Sequence, residues 1–329
     1  MTLLSVRDLS VQFGPKHKPV AAVSHASFSV EPGEIVGVVG ESGSGKSTMC
    51  TALMRSLPDT ARVSGDIEFD GKSLLSLTPA QMRSLRGRDL SMILQNPMTS
   101  LDPLFTIGNQ AREALNLHGN MRNAGERDAV DLLRKVRITA PETRVRQYPH
   151  QMSGGMKQRI LTAFATASSP KLLIADEPTT ALDATVQEEI LSLFWEIRRT
   201  SNVAIIIVTH DLGVVRRISD RTFVMYAGRI VESGPTADVF GAPHHPYTQA
   251  LIGSIPRVVA GRVELNSIPG QVPRLDSLGS GCSFAERCMH AQQQCSQQPL
   301  ERPVGDRHRV ACWHNDGATA SVALAGSVR

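Results

Sequence analysis

The chain has 329 residues, a formal net charge of +4 and 20% charged residues, a composition typical of a soluble globular protein of about two domains. Its Lys and Arg residues are spread along the sequence and form no basic block, so nucleic-acid binding is not expected. No apolar run approaches the roughly 20 residues that a membrane span needs, and residues 1–8 lack the features of a signal peptide. We therefore expect a cytoplasmic protein whose contact with any membrane is made through partner subunits.

The N-terminal part predicts strands that lead to a glycine-rich loop. Strands are predicted at 3–13 and 26–30, followed by a Pro-Gly turn and a short buried strand at 34–39, which is apolar and rich in β-branched residues. Phe13 closes the first strand and offers an aromatic face on which an adenine can stack. A core or strand-end phenylalanine is an equally good interpretation of Phe13.

The loop after residue 39 matches the P-loop pattern G-x-x-x-x-G-K-S/T at every fixed position. Its residues are Gly40, Glu41, Ser42, Gly43, Ser44, Gly45, Lys46, Ser47 and Thr48. The glycines let the backbone turn tightly around an anion, and a helix predicted at 49–57 adds the positive end of its dipole. In this pattern Lys46 reaches the β- and γ-phosphates and the Ser47 hydroxyl binds Mg²⁺. A glycine-rich turn with a chance lysine is the alternative, which the strand–loop–helix context disfavours.

The next predicted strands, at 64–71 and 90–94, lead into a part of the chain with a different pattern. Gln95 follows the second of them, where a glutamine can contact Mg²⁺ or a water, although alone it is more often a polar strand end. Helical patterns at 107–117 and 126–136 are then interrupted by Gly and Asn clusters. We interpret the segment from 97 to 147 as a helical insertion between two strand-rich parts.

A Ser-Gly-Gly turn follows the insertion. Ser153, Gly154 and Gly155 precede an apolar helix predicted at 160–167, so their N–H groups form a second potential phosphate site. For the tripeptide alone, an ordinary N-capped helix is the better explanation.

Two further strands are apolar along their whole length, as in a parallel sheet buried on both faces. The first, at 172–175, is followed by Asp176 and Glu177, which suit Mg²⁺ binding and the activation of an attacking water. The second, at 203–208, is followed by His210, which can donate a hydrogen bond to a phosphate oxygen. Ligands bind at the carboxyl ends of such strands, which disfavours the alternatives of turn-capping acids and a structural histidine.

In this order the motifs resemble the ATP-binding subunits of ABC transporters. The resemblance implies a Walker A loop at 40–48, a Q-loop at Gln95, a signature loop at 152–156, a Walker B strand at 172–176, a D-loop from Ala181 to Asp183 and a switch histidine at His210. It gives Glu177 the role of catalytic carboxylate. The signature departs from LSGGQ at Met152 and Met156, whereas Ser153 and Gly155 are kept.

The likeness continues past the ATPase motifs. Residues 95–103, residues 245–251 and the C-terminal cysteines look like the oligopeptide/dipeptide/nickel importer subfamily, to about residue 315. The implied fold is α/β: a RecA-like P-loop NTPase core of the ABC class at 1–238 with a helical subdomain at about 96–160. A cysteine-containing C-terminal domain is expected at 239–318 and a disordered tail at 319–329.

What this resemblance implies is an ATPase, using ATP and Mg²⁺, that drives solute import. Two such subunits would form a dimer, with a second copy or a similar distinct ATPase, on two membrane permeases at the cytoplasmic face of the inner membrane. An extracytoplasmic solute-binding protein would be an indirect partner. Peptides, nickel or metal chelates and glutathione-like compounds remain open as cargo. A soluble ABC ATPase without transport and a non-catalytic regulatory subunit are the competing interpretations.

Four of the five cysteines gather near the C-terminus: Cys282, Cys288, Cys295 and Cys312. Such clusters in a reducing compartment favour metal binding over disulfides. Four thiolates suit structural Zn²⁺ or an iron–sulfur cluster. The spacing lacks paired C-x-x-C knuckles, and some members of the resembling subfamily carry a 4Fe–4S cluster here, so the iron–sulfur cluster is our prediction, with zinc or free thiols as alternatives.

Overall fold

The computed structural model describes residues 2–15, 17, 19–118, 121, 123–180, 182–259, 262–264 and 267–314. Within that part of the chain, every helix is too short or too polar to cross a bilayer. Ala181 of the predicted D-loop and the predicted tail at 319–329 lie outside the described residues.

The strands of the described residues are numbered in chain order. They are β1 (Leu4–Phe13), β2 (Val20–Val30), β3 (Ile35–Val39), β4 (Arg62–Phe69), β5 (Lys72–Ser73), β6 (Leu90–Ile93), β7 (Leu172–Asp176), β8 (Ala204–Thr209), β9 (Arg221–Tyr226), β10 (Arg229–Pro235), β11 (Arg257–Val259), β12 (Arg262–Glu264), β13 (Arg302–Gly305) and β14 (His308–Val310).

The α-helices are numbered in the same way. They are α1 (Lys46–Leu53), α2 (Pro79–Leu85), α3 (Pro97–Ser100), α4 (Ile107–Leu117), α5 (Glu126–Lys135), α6 (Pro141–Arg144), α7 (Gly154–Thr166), α8 (Ala184–Ser201), α9 (Leu212–Ile218), α10 (Thr236–Gly241) and α11 (Pro246–Gly253). Short 3₁₀ turns occupy Leu74–Ser76, Pro149–Gln151, Ala285–Arg287 and Gln293–Ser296.

The larger sheet places the candidate site. Its strand order within the described residues is β13-β14-β10-β9-β3-β8-β7-β6, and the strands from β9 to β6 are parallel. Every residue of β3, β7 and β8 is buried, as expected for strands covered on both faces. Val39 pairs with Thr209 and Asp176 with Val208, so the three strands end level, at one edge of the sheet.

A smaller antiparallel sheet, in the order β2-β1-β4-β5, packs its apolar side against α1. The β2 strand is longer than predicted, because it begins at Val20 and not at 26. Asp8 and His25 have positive φ angles of 53° and 52°, and the β1–β2 register shifts between Val6 and Leu9. This irregularity breaks the alternation of side chains, so the sequence pattern reveals only the second half of β2.

Helices α3–α6 lie between β6 and β7, and they pack with α7 around a hydrophobic cluster of their own. Ile107, Ala111 and Leu133 are fully buried in it, together with Ile160 of α7. The predicted helix at 107–117 is present with those bounds, because its apolar residues recur at helical spacing and Thr106 caps its first turn.

The C-terminal part is joined to the larger sheet. The β13–β14 hairpin, which the sequence analysis did not predict, extends that sheet by pairing Val310 with Glu232 of β10. Tyr247 and Phe284 share a hydrophobic cluster with Tyr226 of β9. The domain boundary near residue 238 stays a prediction, since the two parts share a sheet and a core.

Candidate functional site: a phosphate-binding loop at the sheet edge

The P-loop fits tightly between neighbouring strands. Gly40 has a φ of 154°, and a Cβ there would lie 2.1 Å from the carbonyl oxygen of Met225. Gly45 has a φ of 96°, and its Cβ would lie 2.3 Å from the carbonyl oxygen of Ala22. Only glycine is compatible with these positions, because both the backbone conformation and the space forbid a side chain. Helix α1 then begins at Lys46, so its N-terminus faces the loop.

The Lys46 ammonium lies over the loop. Its Nζ donates to the carbonyl oxygens of Gly40 at 2.7 Å and Glu41 at 2.9 Å, and to Ser44 Oγ at 3.3 Å. Burial lowers the pKa of Lys46, and the nearby Glu177 and Asp176 carboxylates act in the opposite direction. A buried cation with carboxylates beside it is suited to pair with a phosphate when one enters.

Asp176 and Ser47 form a site that suits Mg²⁺. The Ser47 hydroxyl donates a hydrogen bond to the Asp176 carboxylate, while Asp176 Oδ1 is buried without a hydrogen-bond partner among the described residues. Burial raises the pKa of Asp176. An unsatisfied buried carboxylate oxygen beside a hydroxyl is the hard oxygen donor set that Mg²⁺ prefers, so these residues fit the ion.

Glu177 is held in one orientation from both of its oxygens. Oε1 lies 2.9 Å from Nδ1 of His210, and Oε2 accepts a hydrogen bond from Thr180 Oγ1 at 2.6 Å. The residue has a positive φ of 52° and an 8% exposed side chain. A strained backbone and two side-chain partners point the carboxylate into the space above the P-loop.

These groups line one cavity of about 750 Å³. Its lining residues are Ala22, Glu41, Ser42, Gly43, Ser44, Gly45, Lys46, Ser47, Thr48, Gln95, Glu177, His210 and Leu275. Asp176 lies behind them, bonded to Ser47. The structure thus brings Gln95, Glu177 and His210 to the P-loop, and the cavity combines backbone N–H groups, a cation and a candidate base, as phosphoryl transfer to water requires.

Besides Asp176, five predicted nucleotide-binding residues are not among the described residues that line this cavity: Phe13, Ser153, Gly154, Gly155 and Asp183. Phe13 is half-buried and packs against the core of the smaller sheet. Ser153 is an exposed N-cap that accepts a hydrogen bond from the Met156 N–H, and Asp183 caps α8 in the same way. Any contact of Ser153 or Asp183 with nucleotide therefore has to be with a nucleotide outside this cavity.

Sequence reasoning missed two residues that line the cavity, Ala22 and Leu275, and also Thr180, which donates a hydrogen bond to Glu177. Thr180 directly precedes the predicted D-loop, and the only signal for its role is its spacing of three residues from Glu177. Leu275 comes from the C-terminal part of the chain, far in sequence from the P-loop. No local pattern reports such a contact, because only the tertiary fold creates it.

The four C-terminal cysteines are close enough to interact electrostatically. Burial raises the pKa of Cys282, Cys288 and Cys312, that of Cys312 to about 11, and the charge of neighbouring thiolates contributes to all three shifts. All five cysteines are free thiols. Across the part of the chain that the structure describes, no three His, Cys, Asp or Glu side chains are arranged around one point as ligands of a single metal ion.

A P-loop and a Walker B carboxylate pair facing one histidine across a shared cavity define an ATPase of the ATP-binding cassette class. The comparison with protein families agrees. The ABC transporter family model matches residues 23–180, and the model of the oligopeptide/dipeptide transporter C-terminal region matches residues 231–295.

Curated relatives are similar over almost the whole chain. A probable peptide ABC transporter ATP-binding protein of Sinorhizobium fredii is 47% identical over 95% of both chains. The dipeptide transport ATP-binding protein DppD of Bacillus subtilis is 45% identical over 99% of both. The oligopeptide transport ATP-binding protein OppD of Salmonella typhimurium is 46% identical over 94% of this chain and 93% of its own. This chain therefore belongs to the ATP-binding subunits of ABC transporters, in the oligopeptide/dipeptide group.

Solved structures agree on the fold. The dimeric bacterial ABC transporter cassette MJ0796 matches with a TM-score of 0.62 and 25% identity, over 71% of this chain and 98% of its own. The ABC cassette fold expected from the motifs is confirmed.

Proposed function

We propose that this chain is the ATP-hydrolysing subunit of an importer for dipeptides or oligopeptides. The observation that carries the catalytic part is the convergence of Lys46, Glu177 and His210 on one P-loop cavity, with Asp176 directly behind it. The peptide cargo is supported by the names of relatives that are 45–47% identical to this chain. It is also supported by the match to an oligopeptide/dipeptide C-terminal region. A nickel or metal-chelate importer is the alternative.

In this proposal each residue has a separate task. The loop N–H groups and Lys46 bind the β- and γ-phosphates, and Ser47, Asp176 and Gln95 would hold Mg²⁺, which would neutralise charge on the phosphates. Glu177 orients the attacking water and accepts its proton. His210 keeps the carboxylate aimed and donates to the γ-phosphate as charge develops there.

A dimer completes the site. Ser153 is exposed and caps α7, and the half-buried Gly155 lies in the first turn of that helix, both outside this subunit's own cavity, so this helix N-terminus suits the γ-phosphate of a nucleotide on a partner ATPase. The partner is a second copy or a similar distinct subunit. Closure on ATP and opening after hydrolysis then move the attached permeases between inward- and outward-facing states.

A groove beside the helical insertion suits the two permease subunits. Leu94, Leu104, Phe105 and Leu117 are large apolar side chains that are each more than half exposed. Leu94, Phe105 and Leu117 line a cavity of about 830 Å³ between the sheet and the helices. Exposed apolar patches of this kind mark protein interfaces. This surface would hold the chain at the cytoplasmic face of the inner membrane as a peripheral subunit.

The cargo assignment is tested by uptake in a strain that lacks this gene. We expect loss of labelled dipeptide or oligopeptide uptake and unchanged nickel uptake, with recovery on expression of the wild-type chain and none with Lys46→Ala. Loss of nickel uptake with normal peptide uptake would support the alternative.

A second proposal concerns the four C-terminal cysteines, which we infer hold a 4Fe–4S cluster. Each sulfur receives a backbone N–H: Cys282 from Phe284 and Ala285, Cys288 from His290, Cys312 from His314, and Cys295 from Gln292. Such bonds favour the thiolate form, and N–H···S bonds tune iron–sulfur clusters. A cluster spaces its four ligands more widely than a single ion does, which is compatible with the lack of a compact three-ligand arrangement among the residues that the structure describes. Arg229 also faces Cys282 and would offset the charge of a thiolate-ligated cluster.

Anaerobic purification tests this proposal. We expect brown protein with equal amounts of iron and sulfide, lost in Cys312→Ser and kept in Cys50→Ser, since Cys50 lies behind the P-loop. Colourless wild-type protein with stoichiometric zinc, or with no metal, would contradict it.

A further inference from the structure

The C-terminal part of the chain reaches the P-loop through a paired contact. Arg287 Nη1 donates to Glu41 Oε2 at 2.8 Å, and Nη2 donates to Oε1 at 3.2 Å. The Arg287 side chain is 6% exposed and the Glu41 side chain 27%. A two-pronged guanidinium–carboxylate contact fixes the orientation of both groups, and its partial burial limits screening by solvent.

Arg287 is itself held rigidly. Its Nε donates to the carbonyl oxygen of Pro269 at 2.7 Å. Its guanidinium carbon lies 5.7 Å from the ring centre of Tyr226 and 5.9 Å from that of Phe284, which is within cation–π range. The residue ends a 3₁₀ turn directly before Cys288. The position of Glu41 is therefore set by the cysteine-bearing segment.

Glu41 is fixed at its other polar groups as well. Its N–H donates to the hydroxyl of Tyr247 at 2.9 Å, and its carbonyl oxygen accepts from Lys46 Nζ at 2.9 Å. Tyr247 is fully buried and comes from α11. Two residues from the C-terminal part of the chain thus hold the second residue of the P-loop, immediately before the Ser-Gly-Ser-Gly stretch.

We propose that Arg287, supported by Tyr247, is a positioning residue that presets the P-loop of its own subunit for ATP. The loop has to adopt one conformation to direct its N–H groups at the phosphates, and glycines make that ordering unfavourable in entropy. Because Glu41 is already anchored, less of the P-loop has to be ordered when ATP binds, and the affinity for ATP is therefore higher.

The contact has an electrostatic consequence too. Glu41 is a carboxylate that lines the cavity in which an anionic triphosphate binds. The Arg287 guanidinium pairs with it and offsets its charge, so its repulsion of ATP is reduced. Entropy and charge therefore act in the same direction on ATP affinity, and neither acts directly on the hydrolysis step.

The test is a double-mutant cycle on the full-length chain, read as the dissociation constant for Mg-ATP by isothermal titration. Arg287→Lys keeps the charge but loses the two-pronged geometry, and we expect about tenfold weaker ATP binding. In a Glu41→Gln background the same substitution should change the dissociation constant less than twofold, because its effect passes through Glu41. In the assembled transporter, KM for ATP should rise while kcat stays unchanged.

Arg309→Lys is the matched control, because Arg309 also pairs with a glutamate, Glu301, in the same part of the chain. It should leave ATP affinity unchanged. The proposal is overturned if Arg287→Lys alters the dissociation constant less than twofold, or alters it equally in both backgrounds. If Arg287→Lys does not fold, Tyr247→Phe decides instead: weaker ATP binding with unchanged kcat supports the proposal, and unchanged binding overturns it.

Discussion

Replacement of Glu177 by Gln separates ATP binding from hydrolysis. The carboxylate is 8% exposed and is oriented by His210 at 2.9 Å and Thr180 at 2.6 Å. Gln has the same shape and keeps hydrogen-bonding atoms at both positions. The substitution therefore removes the negative charge and the basic oxygen, and little else.

The size of the effect follows from the role of the residue. A positioned general base contributes about 10²–10⁴-fold to rate, or roughly 3–5 kcal/mol in the barrier. We expect turnover by the assembled Glu177→Gln transporter to fall by that factor. ATP affinity should be kept or improved, because Glu177 is close enough to raise the pKa of Lys46 and its charge opposes that of the γ-phosphate.

The assay measures phosphate release at saturating ATP together with the dissociation constant for ATP. Glu188→Gln is the matched control, since Glu188 is an exposed carboxylate paired with Arg217 on the surface, and its turnover should equal that of the wild type. Turnover of Glu177→Gln within tenfold of the wild type, with ATP bound, would refute the assignment of Glu177 as the base.

Three other predictions concern different parts of the chain. Ser153→Arg should leave ATP binding intact but abolish ATP-dependent crosslinking across the dimer, whereas Ser153→Thr, which keeps the cap, should crosslink normally; unchanged crosslinking in the arginine variant would contradict action on the partner's nucleotide. Thr180→Val removes one hydrogen bond to Glu177 and should lower turnover about tenfold at unchanged ATP affinity; unaltered turnover would show that the bond is dispensable. Burial lowers the pKa of His245 to about 4, so the unfolded chain binds a proton between pH 6.5 and 4 that the folded chain does not, and stability falls as the pH falls. Between pH 7 and pH 5 the titration of His245 should lower the free energy of unfolding by about 2 kcal/mol. The His245→Asn variant should lack this decrease and the exposed control His150→Asn should keep it, as measured by urea unfolding at both pH values.

The sequence predicted those parts of the site that are formed by residues close together in the chain. The P-loop depends on glycines and a lysine in one stretch, and Asp176 and Glu177 lie at the end of a strand whose burial is visible as an unbroken apolar run. Because parallel strands end at one edge of the sheet, His210 could be placed with them before the fold was known.

The features of the fold and the site that the sequence did not predict depend on long-range contacts, which no local sequence pattern records. The Arg287–Glu41 pair joins residues 246 positions apart, and the β13–β14 hairpin has only half-buried alternation over short strands, so neither could be predicted. Phe13 is a different case. The structure shows that its half-buried position follows from packing against the core, and its contact with adenine stays a prediction.

ATP-dependent uptake of a labelled dipeptide or oligopeptide into proteoliposomes tests the central claim most directly. The vesicles would contain this chain with its partner ATPase and two permeases, with the solute-binding protein added. Wild-type protein should take up peptide in step with phosphate release, and Lys46→Ala and Glu177→Gln should support neither. Peptide uptake that persists with Lys46→Ala, or ATP hydrolysis that never drives uptake with the wild-type chain, would contradict the account.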